Sequence, residues 1–317
     1  MSPRINLAIH GVCGVLIALL LGSYGCVKPY YSHGWLEDPL SPEPSLSDPT
    51  YRVSSRISTP SMAQKKQPIV IACHGFAATT YEWAEFKDVA EKRGLLVSLV
   101  LLGGHGRSFS DFSASTWTLW NQPILEEYQA LVQKGYTNLH ILTASASAPL
   151  ILEDLKNHAF DHVPPKTIIM VDPFIIPKNK LLYAVNWIGL LIGTHRFTHK
   201  SEEERRHWYS NAGYKPMTEL KSLITQAARD VKKGIPLPQG TSVWLYQGLG
   251  DELSDPQGAL FIQTGLWKAN PNHLIGLTML PSSQHVFVRK NGRQKWTNFE
   301  DNMRNQALDL IIRSEKK

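Results

Sequence analysis

From Pro68 onward, short continuous runs of β-forming apolar residues recur along the chain, at 69–72, 95–101, 139–142, 167–171, 243–247 and 274–280. Between them the apolar positions switch to helical spacing, at 83–93, 124–134, 149–157, 255–267 and 299–313. Strands that are apolar on both faces, alternating with amphipathic helices, predict an α/β fold with a mostly parallel sheet covered by helices on both sides. One interval breaks the rhythm. About seventy residues separate the strand ending at Val171 from the one beginning near Val243, far more than an ordinary connection. The interval holds the apolar run 181–192, then a charged helix, then an amphipathic helix at 217–233. It reads as a helical cap over the carboxyl ends of the strands, where open α/β sheets hold their sites.

The residues before Pro68 follow a different pattern. Arg4 precedes an apolar run at 12–21 that ends on Gly22-Ser23-Tyr24-Gly25-Cys26. A basic residue, a short apolar stretch and small residues make residues 1–26 a secretory signal peptide or membrane anchor. The Gly25-Cys26 ending resembles a bacterial lipoprotein signal, which implies lipidation of Cys26 and an exported, membrane-attached protein on the periplasmic or cell-surface side. Residues 27–66 are rich in Pro and Ser, with turn chemistry such as Asp38-Pro39 and Ser41-Pro42-Glu43-Pro44, and read as a tether or wrapping arm. The folded domain then spans 67–317, with its cap at about 174–238.

Composition removes several classes of function. The 317 residues carry a formal net charge of +6, but Lys and Arg are mixed with acids, as in Glu202-Glu203-Glu204-Arg205-Arg206. No basic stripe with interleaved aromatics is present, so nucleic acid is not an expected partner. Of the three cysteines, Cys13 and Cys26 lie in the leader and Cys73 stands alone, which excludes a disulfide framework. The histidines lack ligand spacing with Cys, Asp or Glu, and neither a metal nor another cofactor is expected. Gly103-Gly104-His105-Gly106 departs from G-x-G-x-x-G and has no acidic ribose partner at a useful distance, which argues against a dinucleotide site.

The strand ends carry the chemistry. His140-Ile141-Leu142-Thr143-Ala144-Ser145-Ala146-Ser147-Ala148-Pro149 runs from a strand into a cluster of small residues with a serine at its centre. A strand-to-helix turn that pushes one hydroxyl outward needs small neighbours, usually as G-x-S-x-G. Here Thr143 and Ser147 replace the two glycines, and Ser147 is the other candidate hydroxyl. Acyl transfer through a serine also needs a base, a carboxylate to orient it, and N–H donors for the oxyanion. His74-Gly75-Phe76-Ala77-Ala78 follows the first strand with the small residues that let backbone N–H groups face a ligand. Asp251 follows the strand at 243–247 and His285 follows the last strand, which puts serine, aspartate and histidine past separate strand ends in that chain order. Asp172, in Val171-Asp172-Pro173, is the alternative carboxylate.

Taken together, His74-Gly75-Phe76, Gly104-His105-Gly106-x-Ser108, the serine elbow, Gly248-x-x-Asp251 and Ser283-x-His285 resemble the α/β-hydrolase superfamily, and within it the carboxylesterase and monoacylglycerol-lipase branch. The resemblance covers roughly residues 65 to 315 and implies a cap inserted after the family's sixth strand. It implies Ser145 as nucleophile, His285 as general base and Asp251 as its orienter, with the N–H groups of Phe76 and Ala146 holding the oxyanion. His74, Gly75, His105 and Trp187 would line the substrate site. The expected activity is cleavage of a carboxylic ester with an apolar acyl chain. Because Thr143 and Ser147 stand at the elbow, the alternative is an inactive hydrolase fold that serves as a binding or scaffold module at the membrane.

Overall fold

The computed structural model describes residues 48–51, 61–187, 194–197, 201–293 and 296–313. The expected signal and Cys26 fall outside these residues, as does most of the tether. Among the described residues, no helix is long and apolar enough to cross a membrane.

Six strands form the central sheet: β1 (Ile69–Cys73), β2 (Leu96–Val100), β3 (Leu139–Ala144), β4 (Thr167–Val171), β7 (Ser242–Gly248) and β8 (Ile275–Leu280). Their order is β2-β1-β3-β4-β7-β8, and every neighbouring pair is parallel. Period-two alternation survives within the apolar runs. Ile69, Ile71 and Cys73 of β1 join one core, as do Ile141 of β3 and Ile168 and Met170 of β4. Val70, Ala72, Leu142, Ile169 and Val171 point the other way into a second core. The first core is covered by α3 (Trp117–Gln133), α4 (Ser147–Lys156), α6 (Tyr214–Lys233) and α7 (Gln257–Ala269). The second lies under α1 (Ala84–Lys92) and α8 (Asn298–Arg313), and the short α2 (Phe109–Ala114) follows β2. Both sheet faces are buried, which is why the strands read as unbroken apolar runs.

The interval after β4 departs from expectation in two ways. It is not purely helical, because β5 (Thr194–Arg196) and β6 (Asn211–Gly213) pair as an antiparallel ribbon around the short α5 (Glu202–His207). Nor does the amphipathic helix expected in the cap belong there. Leu220, Leu223, Ile224, Ala227 and Val231 of α6 sit in the first core, so α6 is a flank of the sheet. Its 3.6-residue stripe was legible, but an amphipathic stripe does not say which apolar surface it will meet.

Pro123 lies inside α3, and Thr116 caps that helix by accepting from Leu119 N–H. The helix therefore begins seven residues before the expected start at 124. The N-terminal arm reaches the domain at Tyr51, whose ring sits edge-on to Tyr81 and His207, at 5.0 and 5.4 Å between centroids.

Candidate active site

β3 enters α4 with almost no connecting residues, and the chain turns at Ser145, whose φ is 54°. A side-chain-bearing residue in the left-handed region costs about 1–3 kcal/mol, so neighbouring bonds must hold it there. Ser145 N–H donates to Val171 O at 3.0 Å, and Ser145 O accepts from Phe174 N–H at 3.0 Å and Ala148 N–H at 3.2 Å. Thr143 is still in β3, where a β-branched residue suits the backbone, and its hydroxyl donates to Ile169 O at 3.4 Å. Ser147 opens α4; its hydroxyl accepts from Ala144 N–H at 2.9 Å and donates to Cys73 O at 2.8 Å. Neither replacement of glycine crowds the turn. Ser147, fully buried and spoken for, is not available as a second hydroxyl for chemistry.

The hydroxyl at the turn is met by a base. His285 Nε2 lies 2.8 Å from Ser145 Oγ, and His285 Nδ1 lies 2.7 Å from Asp251 Oδ2. Burial alone would raise the Asp251 carboxyl, but the neighbouring imidazole and the N–H groups of Leu253 and Ser254 hold it below the ordinary range. An ionised Asp251 only accepts, so Nδ1 carries the proton and Nε2 is left to accept from Ser145. For His285, burial works to lower the pKa, and the Asp251 charge and hydrogen bond outweigh it, leaving the imidazole above its usual value.

Asp172 does not contact His285 through a hydrogen bond. Its Oδ1 accepts from Gly248 N–H at 2.7 Å and Gln247 Nε2 at 3.0 Å, and its Oδ2 accepts from Val286 N–H at 2.7 Å. Burial first, then the Asp251 charge, push its carboxyl well above the usual range. Asp172 thus ties the β7 end to the His285 loop. Among the described residues, Asp172, Asp251 and His285 are also the one trio whose ligand atoms lie within 4.8 Å of one another. Those atoms are already bonded to each other or to the backbone.

The remaining expected residues divide. The N–H groups of Phe76 and Ala146 are engaged by no partner among the described residues, and Ala146 directly follows Ser145. Gly75 presses on the elbow: a Cβ built there would meet Ser145 Cβ at 3.1 Å and Ala144 O at 3.4 Å. His74 and His105 do not line a substrate site. His74 Nδ1 donates to Gly75 O at 2.8 Å and Nε2 accepts from Leu102 N–H at 3.0 Å. Burial takes its pKa down to about 4, so it stays neutral and ties the loop after β1 to the one after β2. His105 Nε2 accepts from Ala77 N–H at 3.2 Å, and burial first, then the imidazole of His74 beside it, which disfavours a charge at this place, lower its pKa well below the usual value. Trp187 is 84% exposed.

Five side-chain-bearing residues among those described have positive φ, and four of them surround this site: Ala77, Ser145, Asp172 and Val286. Strain of this kind persists only where the surrounding structure over-determines it, as the hydrogen bonds around Ser145 and Asp172 do here. The sequence offered no sign of Glu82, buried in the 3₁₀ turn Thr80–Trp83, whose Oε2 accepts from Gly75 N–H at 2.6 Å. It offered none of Arg293 either, which donates to the backbone beside His285. Both depend on long-range contacts that no local pattern encodes.

No protein-family description matches the chain, and no curated protein resembles it in sequence. Solved structures do. One of the metagenome-derived lipolytic enzymes LipS and LipT superposes with a TM-score of 0.64 at 16% identity, covering 83% of this chain and 96% of that one. Monoglyceride lipase from Saccharomyces cerevisiae, solved with a substrate analog, gives a TM-score of 0.65 at 11% identity over 82% of this chain and 90% of its own. Mouse alpha/beta hydrolase domain-containing protein 10 gives 0.52 at 15% identity over 82% and 93%. The chain has the α/β-hydrolase fold. Within an α/β-hydrolase fold, the Ser145 turn, Asp251 and His285 occupy the ends of β3, β7 and β8, on the carboxyl edge of the sheet.

Proposed function

We propose that this protein is a serine hydrolase that cleaves carboxylic esters. The observation that carries the reading is the unbroken chain from Ser145 Oγ through His285 to Asp251, beside two unengaged N–H groups. In the proposed reaction His285 Nε2 takes the Ser145 proton as Oγ attacks the ester carbonyl carbon. The N–H groups of Phe76 and Ala146 stabilise the oxyanion that forms. Collapse expels the alcohol, which receives the proton from His285, and leaves an acyl-serine. Water, deprotonated by the same imidazole, then attacks the acyl carbon and releases the acid.

An apolar acyl chain suits the surroundings of the proposed oxyanion loop. The Phe76 ring lies 5.4 Å from both Phe112 and Trp120 and 6.2 Å from Phe197 of the cap, centroid to centroid. Similarity to lipolytic structures agrees with this choice of substrate class. The inactive-scaffold alternative drew its support from Thr143 and Ser147, and the hydrogen bonds of both side chains leave it without an observation in its favour.

A fluorophosphonate probe tests the proposal. The wild type is expected to be labelled on Ser145 and the Ser145→Ala variant to remain unlabelled, with turnover of a short p-nitrophenyl ester lost in parallel. Equal labelling of the two proteins would sink the assignment.

A further inference from the structure

His285 is followed by Val286, a β-branched residue at φ 53°. That conformation is a genuine outlier for valine, and the chain adopts it only where other contacts dictate it. Three donors do so. Asp172 Oδ2 accepts the Val286 N–H from below. From the other side, one guanidinium nitrogen of Arg293, Nη2, donates to His285 O at 2.9 Å and Val286 O at 2.8 Å. Both peptides that flank Val286 are therefore fixed, and with them the direction in which His285 leaves the backbone.

Arg293 is in turn held by the cap. Its Nη1 lies 3.2 Å from Glu204 Oε1 on α5, and the same oxygen lies 3.5 Å from Arg289 Nη2. Arg293, Glu204 and Arg289 side chains are 10, 12 and 1% exposed, so the pairing is screened little by water. Arg289 lies over the Trp208 ring at 4.6 Å and the Tyr81 ring at 5.3 Å, and burial takes its pKa down to about 10, which leaves it charged. The cap also reaches the other half of the site, where Tyr209 N–H donates to Ala77 O at 2.8 Å in the loop that carries Phe76. One stretch of cap, Glu204 to Tyr209, thus bonds to the base loop and to the proposed oxyanion loop.

We infer that Arg293 is a positioning residue through which the cap, by way of Glu204, sets the aim of His285 at Ser145. The inference rests on the proposed hydrolase chemistry for its kinetic test, but its geometric content can be read without turnover. Lysine at 293 keeps the charge opposite Glu204 and cannot donate to two carbonyls and a carboxylate in the same fork. Glutamine at 204 keeps the shape and loses the charge.

With a p-nitrophenyl ester as substrate, Arg293→Lys is expected to lower kcat by about tenfold or more while KM stays within about twofold, because a misaimed base affects the transition state more than binding. Glu204→Gln is expected to act in the same direction and to add no further loss in the Arg293→Lys background. Proton NMR provides the readout independent of turnover. The downfield His285 Nδ1 proton is expected in the wild type and to broaden or shift upfield in both single variants. Wild-type kcat together with an unchanged Nδ1 resonance in Arg293→Lys would overturn the inference, as would losses from the two substitutions that multiply. Should Arg293→Lys not fold, Glu204→Gln decides by the same resonance. Failure of the wild type to react with the fluorophosphonate probe, with the resonance still responding to these substitutions, would count against the hydrolase proposal alone.

Discussion

At the scale of single residues, the site depends on side chains whose charge state is set by their neighbours. His285 illustrates this: burial disfavours its charge, yet the Asp251 carboxylate holds its pKa above the ordinary histidine value. A general base works only when Nε2 is unprotonated, so a raised pKa moves the rising limb of the rate to higher pH. The pH profile of kcat/KM is expected to rise with an apparent pKa above about 6.5. A midpoint at or below that value would mean that Asp251 does not support the imidazole as the geometry implies. Ser145, His285 and Asp251 were legible as residues because each follows an apolar strand, and strand ends in open α/β sheets converge. His74 and His105 were legible as loop histidines and were given the wrong role. Their ring nitrogens face backbone groups 28 residues away in sequence, which no local pattern reveals.

At the scale of elements, the site is an agreement between turns. The loop after β1 passes so close to the β3–α4 turn that a Cβ added at Gly75 would sit 3.1 Å from Ser145 Cβ, tighter than an ordinary contact, so the turn would have to give by a few tenths of an ångström. Gly75→Ala is therefore expected to push Ser145 away from His285 and lower kcat/KM by about 100-fold, with a small change in thermal midpoint. Steady-state kinetics and a thermal melt together check this, and near-wild-type kinetics would show that the two turns do not bear on each other. Element boundaries followed the hydrophobic pattern well where strands were concerned. The start of α3 did not, because Pro123 reads as a break and Thr116, its actual cap, stands well upstream. The role of α6 also escaped sequence reading: whether an amphipathic helix lies on the sheet or over the site depends on the apolar surface it meets.

Across the whole molecule, the fold buries acids that the chemistry does not use. Asp154 on α4 is 3% exposed; burial raises its pKa to about 7, and Asn121 Nδ2 donates to it at 2.5 Å. A carboxyl raised in the folded state adds no penalty below its unfolded pKa, where both states are protonated. As pH climbs toward the folded value the unfolded chain ionises first, and stability is lost, by about 3 kcal/mol between pH 5 and 7.5. Asp154→Asn is expected to remove that loss, so that its thermal midpoint relative to wild type rises by about 5 °C over the same interval. A constant difference at both pH values would show that Asp154 does not titrate in this range. The amino-acid sequence by itself determined the alternation of strands and helices, the parallel sheet and the order of Ser145, Asp251 and His285, because period and strand-end position are local properties of a chain. Only the tertiary structure decided which carboxylate meets His285, why Thr143 and Ser147 fit the elbow, and how Glu204 reaches the base. Each of those turns on groups brought within about 3 Å from distant parts of the chain, where hydrogen-bond geometry discriminates and sequence distance does not.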